Sequence, residues 1–320
     1  MLQNELIKHG IGDTIFKRSR NIEILLKYSK IYLKFEGGNP TGTMKDRAAY
    51  NCLKEAKKKG YEALAIGSCG NFGASFVHLA KIFGLTPHVH IPAHYHTPRI
   101  AEMEKKGGIL HRIPGTYEDA VAASSRDAKE HGWYDANPGV EPNTRLSIEA
   151  YATISYEIFE SLGYAPNVVA SPVGNGTTLA GLFHGFKELL TQGKIKKIPF
   201  MIASSTIGGN PVVKCFLDGE SEIRQLRPNE IIETDVNEPL VSWISLDGQE
   251  ALDALHSSSG WATFITDQEM VEYSEIMARE EGLLVLPASA SSLVALSKYI
   301  NEKRLKSGKS LVALLTSRKY

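Results

Sequence analysis

A glycine-rich loop between an apolar run and an amphipathic run has the composition of an anion-binding site. Ser171–Leu179 reads S-P-V-G-N-G-T-T-L. Glycines let backbone N–H groups converge on an anion, the dipole of the following helix adds positive potential, and Thr177 and Thr178 add hydroxyl donors. The loop has neither the G-x-x-x-x-G-K-[ST] pattern of triphosphate sites nor the G-x-G-x-x-G pattern of dinucleotide sites. It therefore favours a single phosphate monoester, with an ordinary glycine-rich turn as the alternative.

A lysine stands where a second helix is predicted to begin. Lys45 follows Gly37–Met44, a segment rich in glycine and threonine. A cation is electrostatically disfavoured in a first helical turn, and a lysine that readily gives up its proton suits a Schiff-base amine. We expect Asp46 and Arg47 beside it to form a structural pair. The alternative is a surface lysine that follows a turn.

Two further strand-to-helix loops consist mainly of small residues. In Ser68–Ser75, backbone N–H groups at a helix start can bind a carboxylate and Asn71 can hydrogen-bond a ring hydroxyl; an N-cap for the helix is the alternative. Cys69 in the same loop is either a reactive thiol at a helix N-terminus or a small packed one. Leu286–Ser292 offers either a flat shelf for a planar ligand or close packing of a helix on a strand.

These loops lie in a chain that alternates short β-rich runs with amphipathic runs. Strands are predicted over residues 31–35, 63–66, 87–91, 168–172, 200–204, 283–286 and 311–315. Helices are predicted over residues 45–59, 72–83, 97–106, 177–190, 267–281 and 289–301. Strands separated by helices predict βαβ units and mostly parallel sheets, in which ligands bind beyond the carboxyl ends of the strands. All four loops are therefore placed where a ligand is expected.

Length and composition restrict the class of protein. The chain has 320 residues, of which 42% are hydrophobic, enough to bury a sizeable core in one large or two ordinary domains. Lys+Arg and Asp+Glu number 36 each, which argues against a nucleic-acid partner. No apolar run approaches the roughly 18 residues of a membrane span and no signal peptide is recognised, so we expect a cytoplasmic protein with no membrane partner. Cys52, Cys69 and Cys215 form neither a disulfide framework nor a zinc-binding C-x-x-C pair.

One histidine cluster has the spacing of a possible metal site. His88, His90, His94 and His96 read H-x-H-x-x-x-H-x-H, and the first two would share one face of a strand. No cysteine or carboxylate joins them locally to extend the ligand set. The sequence therefore predicts that no metal is bound here.

The four loops together match the motifs of one enzyme family. Asn39–Arg47 reads N-P-T-G-T-M-K-D-R and resembles the N-P-T-G-S-x-K-D-R motif of fold-type II pyridoxal-phosphate-dependent enzymes. Ser68–Phe72 is similar to their S-x-G-N-x loop, and Gly174–Thr178 to their G-x-G-G-T or G-N-G-G-N phosphate loop. Pro287–Ser291 resembles the P-A-S-A-A stretch of threonine synthase, the nearest subgroup of the wider tryptophan synthase beta and cysteine synthase superfamily. The likeness covers roughly residues 30 to 316.

The resemblance implies a fold and an assembly. It implies an α/β protein of two three-layer αβα domains with mostly parallel sheets and the cofactor in the cleft between them. The larger, cofactor-binding domain would combine residues 1–46 with 156–320, and the smaller, mobile domain would span residues 47–155. A small amino-acid substrate and a homodimeric assembly are implied as well.

It also implies roles for single residues. Lys45 would form the Schiff base with pyridoxal 5′-phosphate and then act as the base at the substrate's α-carbon, and Asn71 would contact the cofactor's O3′. Thr316, at the end of the last predicted strand, would face the pyridine nitrogen, with Ser317 as the spare. The phosphate would be held by Gly174, Asn175, Gly176, Thr177 and Thr178. The substrate-binding residues would include Thr43, Ser68, Cys69, Gly70 and Phe72.

Departures from the threonine synthase pattern bear on the substrate. The family's R-x-E-G-Q-K-T stretch aligns with Ser147–Thr153, so that Ser147 takes the arginine position; Arg145 is close enough in sequence to compensate, and both count as substrate-binding candidates. Phe72 replaces a small or hydroxyl residue. The predicted reaction is conversion of O-phosphohomoserine to threonine and phosphate by a carbon–oxygen lyase. The alternatives are β-replacement or β-elimination on serine, O-phosphoserine or O-acetylserine, and, outside enzymes, a module that senses cofactor or amino acid.

Overall fold

The computed structural model describes residues 2–303, 305 and 308–319, which form two compact units. The first unit contains Gln3–Ile11 and Asn39–Ala150, and the second contains Gly12–Gly38 and the described residues from Tyr151 onward. This division differs from the sequence-based one at residues 3–11, 39–46 and 151–155. The assignment of a cofactor domain and a mobile domain stays a prediction.

The elements alternate between strands and helices along most of the chain. The strands are β1 (Ile15–Arg18), β2 (Ile31–Phe35), β3 (Ala63–Gly67), β4 (Thr86–Pro92), β5 (Ile109–Ile113), β6 (Tyr134–Asp135), β7 (Val168–Pro172), β8 (Phe200–Thr206), β9 (Trp261–Ile265) and β10 (Leu311–Leu315). The helices are α1 (Leu2–Lys8), α2 (Arg20–Leu25), α3 (Lys45–Lys58), α4 (Asn71–Phe83), α5 (Pro98–Lys105), α6 (Tyr117–His131), α7 (Asn143–Leu162), α8 (Thr177–Thr191), α9 (Pro211–Leu217), α10 (Gly248–Ser257), α11 (Asp267–Glu281) and α12 (Pro287–Glu302). None of the described helices has both the length and the apolar character that crossing a membrane requires.

Each unit is built on its own sheet. The first has four parallel strands in the order β5-β4-β3-β6. The second has six in the order β1-β2-β10-β7-β8-β9, of which only β1 runs antiparallel to its neighbour. The predicted α/β class with mostly parallel sheets is confirmed.

The degree of burial explains which strands could be predicted from the sequence. The central strands β3, β7 and β10 are apolar and buried along their whole length, as expected for parallel strands covered by helices on both faces. The sequence analysis missed β1, β5, β6 and β9, which lie at sheet edges and are only partly buried. It was wrong about a strand over 283–286: only Val285 forms a bridge there, with Arg318, and α12 begins at Pro287.

Helix boundaries follow local capping chemistry. α6 begins with a capping box between Thr116 and Asp119, and α11 with one between Thr266 and Glu269. In each box the hydroxyl and the carboxylate bind N–H groups that the first turn would otherwise leave unpaired. The predicted stop of α11 at Gly282 is confirmed, with φ at 68°, a conformation that glycine adopts without strain.

An ion pair buried in the second unit gives a stability prediction. The ammonium of Lys34 contacts the carboxylate of Glu157 and lies 3.7 Å from Glu36 Oε1, and all three side chains are buried. Lys34→Met is expected to lower the free energy of unfolding by about 3–5 kcal/mol, since it leaves buried carboxylates without their cation. Chemical denaturation measures this loss.

An exposed pair provides the control. Lys54 and Glu5 form an ion pair in which both side chains are at least 40% exposed, so Lys54→Met should cost no more than about 1 kcal/mol. Equal losses for the two substitutions would contradict the role assigned to burial.

Candidate active site

Lys45 is the first residue of α3 and follows a tight turn. Gly42, with φ at 81°, donates its N–H to the carbonyl of Asn39 at 2.8 Å. The N–H of Lys45 donates to the hydroxyl of Thr43 at 3.3 Å. The ammonium of Lys45 lies 5.5 Å from the centre of the Phe72 ring. The structure therefore brings three of the predicted residues, from two separate motifs, into one place.

The loop before Lys45 is fixed by a buried carboxylate. Asp46 accepts hydrogen bonds from the backbone N–H and the hydroxyl of Thr41, at 2.8 and 2.6 Å. The Thr41 hydroxyl lies 3.1 Å from that of Ser75 in α4. Burial raises the pKa of Asp46 above its usual range, against the opposing effect of these hydroxyl and N–H donors. These bonds hold the loop that carries Lys45 against α4.

Arg99 sets the direction of the Asn71 amide, a role that the sequence analysis missed. Its guanidinium is almost fully buried and donates to Oδ1 of Asn71 at 2.9 Å and to the carbonyl of Thr41 at 2.7 Å. Because a guanidinium only donates, the amide oxygen must face Arg99 and the N–H₂ group must point the other way. Such a donor suits contact with a phenolate oxygen, the chemistry predicted for Asn71.

The Ser68–Phe72 loop ends at the N-terminus of α4. Gly70 is the N-cap without a side-chain cap, and the Ser68 hydroxyl instead accepts the N–H of Gly73 at 3.0 Å. Cys69 is buried, with 2% of its surface exposed, which fits a packed thiol better than a reactive one. The first-turn N–H groups of α4 are the donors that this segment offers to a substrate carboxylate.

Arg145 and Ser147 occupy different surroundings on α7. The guanidinium of Arg145 is 57% exposed and pairs with Glu149 at 2.6 Å. The hydroxyl of Ser147 is buried, 4.0 Å from the thiol of Cys52. Arg145 is thus held in a surface ion pair, and the substrate roles proposed for both residues stay predictions.

In the second unit, the predicted phosphate loop connects β7 to α8 and is closely packed from behind. Gly176, the N-cap of α8, has φ at 96°. A Cβ added there would lie 2.8 Å from Cβ of Ala251, and one added at Gly174 would lie 2.7 Å from the carbonyl oxygen of Pro239. Only glycine fits these two positions, so the loop can present backbone N–H groups at the start of a helix.

Asp247 anchors the same loop and was not anticipated from the sequence. Its carboxylate accepts hydrogen bonds from Nδ2 of Asn175 at 2.9 Å and from the hydroxyl of Thr177 at 2.6 Å. Oδ1 of Asn175 accepts the N–H of Leu246 at 2.6 Å. The side chain of Asn175 therefore ties the loop to the segment before α10, and its contribution to an anion would come from its backbone.

Thr316 lies just beyond the carboxyl end of β10, the strand next to β7. Its hydroxyl is 2.7 Å from the hydroxyl of Ser289 in the first turn of α12. The side chains of Ala288, Ser289, Ala290 and Ser291 are all buried. Within this unit the predicted phosphate loop and Thr316 thus follow adjacent strands at the same edge of the sheet, with a hydroxyl pair at Thr316.

Comparison with known proteins identifies the family. The model of the family described as "Pyridoxal-phosphate dependent enzyme" matches residues 7–317. Threonine synthase of Methanocaldococcus jannaschii is 31% identical over 316 residues, which cover 98% of this chain and 76% of that protein. The chain therefore belongs to the family of pyridoxal-phosphate-dependent enzymes, as the motifs predicted.

Solved structures agree on the fold. The processed form of threonine deaminase isoform 2 from Solanum lycopersicum superposes with a TM-score of 0.81 at 15% identity, covering 100% of this chain and 90% of that one. Serine racemase from Dictyostelium discoideum gives a TM-score of 0.80 at 18% identity, covering 99% and 95%. At such identities the likeness shows the fold alone, and that fold is the one predicted.

The donor set in each unit fits the family's cofactor, pyridoxal 5′-phosphate. In the second unit, a glycine loop that excludes side chains at Gly174 and Gly176 matches a phosphate monoester, and the Thr316 hydroxyl matches a pyridine nitrogen. In the first unit, Lys45 supplies an amine for an aldehyde and Asn71 an oriented N–H₂ group. The Thr177 hydroxyl, predicted to hold the phosphate, instead donates to the carboxylate of Asp247, so in this arrangement the loop would offer the phosphate its backbone N–H groups.

Proposed function

We propose that the protein is a pyridoxal-phosphate-dependent lyase that converts O-phosphohomoserine to threonine and phosphate. The observation that carries the proposal is the similarity to threonine synthase along nearly the whole chain. The motif residues around Lys45, Asn71 and the phosphate loop support it, because a protein that merely senses an amino acid would not need the amine of Lys45.

When bound, the cofactor supplies an electron sink for negative charge at the substrate's α-carbon. Nζ of Lys45 would take the proton from that carbon and return it later. Nζ lies over the ring of Phe72, 5.5 Å from the ring centre, within the range of a cation–π contact. The first-turn N–H groups of α4 would hold the substrate carboxylate. At Thr316 a neutral hydroxyl, unlike a carboxylate, favours elimination and replacement chemistry.

The placement of Arg145 favours a second candidate reaction. Threonine synthases carry an arginine where this chain has Ser147, and Arg145 pairs with Glu149 on the surface. A lost charge-assisted contact to the substrate phosphate would weaken binding by about ten- to a hundredfold. β-Elimination or β-replacement on serine, O-phosphoserine or O-acetylserine is therefore the alternative activity.

One assay distinguishes the two. Incubation of the purified holoenzyme with O-phospho-L-homoserine is expected to release phosphate and threonine in equal amounts, measured in the same tube, because loss of phosphate from the γ-carbon and addition of one water at the β-carbon yield one of each. Apoenzyme serves as the control. No turnover by protein with intact cofactor absorbance would overturn the proposal. Spectral titration with serine, O-phosphoserine and O-acetylserine would then test the alternative.

A further inference from the structure

Nitrogen and carboxylate donors converge beneath α6 in the first unit. His88 and His90 are two residues apart and therefore lie on the same face of β4. His111 of β5 pairs in register with His90. α6 packs on β3 and β4, and its residues Asp127 and His131, four apart, lie on one side of the helix. The register of two strands and the turn of one helix thus assemble a cluster that is dispersed in sequence.

Three of these side chains are close enough to share an ion. One donor atom each from His90, His111 and Asp127 lies within 4.8 Å of the other two. Nε2 of His90 is 2.7 Å from Oδ2 of Asp127. Nε2 of His111 is 3.0 Å from Nδ1 of His88, so Nδ1 of His111 is the nitrogen left for an ion. The side chain of His90 is fully buried, whereas that of Asp127 is 34% exposed and gives an ion a way in.

The hydrogen bonding of His90 is incomplete within the described chain. Its Nδ1 is buried and lacks a hydrogen-bond partner among the described residues. A buried polar atom without a partner is rare in native proteins, and a missing ion or water is one common explanation. Asp127 meets the other nitrogen, Nε2, so an ion shared with Asp127 would bind Nε2. Nδ1 would then be the nitrogen that takes an outer hydrogen-bond partner such as water, as the second nitrogen of metal-bound histidines generally does.

We propose that His90, His111 and Asp127 bind a divalent transition-metal ion of the Zn²⁺ class. Two imidazoles and one carboxylate are a common zinc ligand set, and they leave a fourth position for water. His88 would accept a hydrogen bond from Nε2–H of His111 and so orient it, as outer partners of metal-bound histidines generally do. The site is independent of the proposed function.

Ion binding requires a small local rearrangement. The rings of His90 and His111 are stacked, with centres 4.5 Å apart and planes 12° from parallel. Donors on one tetrahedral Zn²⁺ lie about 3.3 Å apart and point at the ion along their ring planes, so one ring must turn. His111 is only partly buried and stands on the edge strand β5, so it is the ring with room to do so.

This proposal replaces the sequence-based prediction of no metal. That prediction rested on the lack of a nearby carboxylate around the H-x-H-x-x-x-H-x-H segment. The carboxylate instead comes from Asp127, 37 residues beyond His90. His94 and His96 follow β4 rather than belonging to it, and they take no part in the cluster.

Equilibrium dialysis with Zn²⁺ tests the site. Untagged holoenzyme, first stripped of metal with a chelator that is then removed, is expected to bind one ion per chain. Asp127→Asn and His111→Gln should each weaken binding by at least about tenfold. His184→Gln is the matched control, since His184 forms an exposed pair with Glu188 at 3.1 Å, and it should leave the affinity unchanged.

A second probe reports on the geometry. Co²⁺ in place of Zn²⁺ should give the visible absorbance of a tetrahedral or five-coordinate ion, and that absorbance should vanish in Asp127→Asn. Retained cofactor absorbance and thermal unfolding without metal show which variants are folded. If His111→Gln does not fold, Asp127→Asn tests the proposal alone, because Asp127 is partly exposed and its substitution should not prevent folding. Substoichiometric Zn²⁺, unchanged affinity in Asp127→Asn, or loss of the ion in His184→Gln would each overturn the proposal.

Discussion

Lys45→Ala is expected to lower kcat/KM by at least about a thousandfold and to abolish covalent attachment of the cofactor. The loss of kcat/KM follows because proton transfer by a positioned base contributes a factor of about 10² to 10⁴ to the rate, and because the amine also carries the cofactor. Borohydride reduction followed by mass spectrometry measures attachment, and phosphate release from O-phospho-L-homoserine measures turnover.

A second lysine of α3 controls for the loss of a positive charge. Lys58 is 79% exposed and makes only a 4.0 Å ion pair with Glu55, so Lys58→Ala should keep both the attachment and the turnover. If the Lys45→Ala protein still held the cofactor covalently, another amine would have to be its anchor and the assignment of Lys45 would be wrong.

Gly176→Ala is expected to weaken cofactor binding by about ten- to a hundredfold. Gly176 has φ at 96°, and an added Cβ would lie 2.8 Å from that of Ala251. Strain of this kind costs about 1–3 kcal/mol, and the loop can relieve it only by moving the N–H groups that would hold the phosphate. Titration of the apoenzyme with pyridoxal 5′-phosphate, followed by absorbance, gives the dissociation constant.

The opposite end of the same helix offers the control. Gly193, just beyond α8, also has a positive φ, at 69°, but an added Cβ would meet nothing within 4 Å. Gly193→Ala therefore carries backbone strain without a clash and should leave cofactor affinity unchanged. Similar dissociation constants for the two variants would argue against the phosphate-binding role of the loop.

The parts of the candidate site that could be predicted are those encoded by neighbouring residues. A glycine loop before a helix, or a lysine at a helix start, is visible in a few consecutive letters, and the motifs around Lys45 and Gly174–Thr178 were found in this way. Central strands such as β10 were found because full burial requires an unbroken apolar run.

The parts that could not be predicted depend on contacts between distant segments. Asp247 binds Thr177 from 70 residues away, and Arg99 binds Asn71 from 28 residues away. Neither stands in a distinctive motif, because each is a common polar residue whose role follows from the packing of elements. For the same reason, Asp127 was not recognised as a neighbour of His90 and His111, and the local spacing of the histidines argued against a metal.

The position of β10 in the larger sheet has a consequence for how the protein is made. β10 is the last of the described strands in sequence order, yet it pairs with β2 on one side and β7 on the other. During synthesis on the ribosome, the antiparallel pair β1–β2 and the parallel strands β7–β8–β9 are therefore made before the strand that joins them, and each has an exposed edge that can pair wrongly. The four-stranded sheet uses only strands between Ala63 and Asp135 and can form earlier. We therefore expect chaperones to bind mainly the strands of the six-stranded sheet during synthesis, and to be released once Leu311–Leu315 has left the ribosome and joined them.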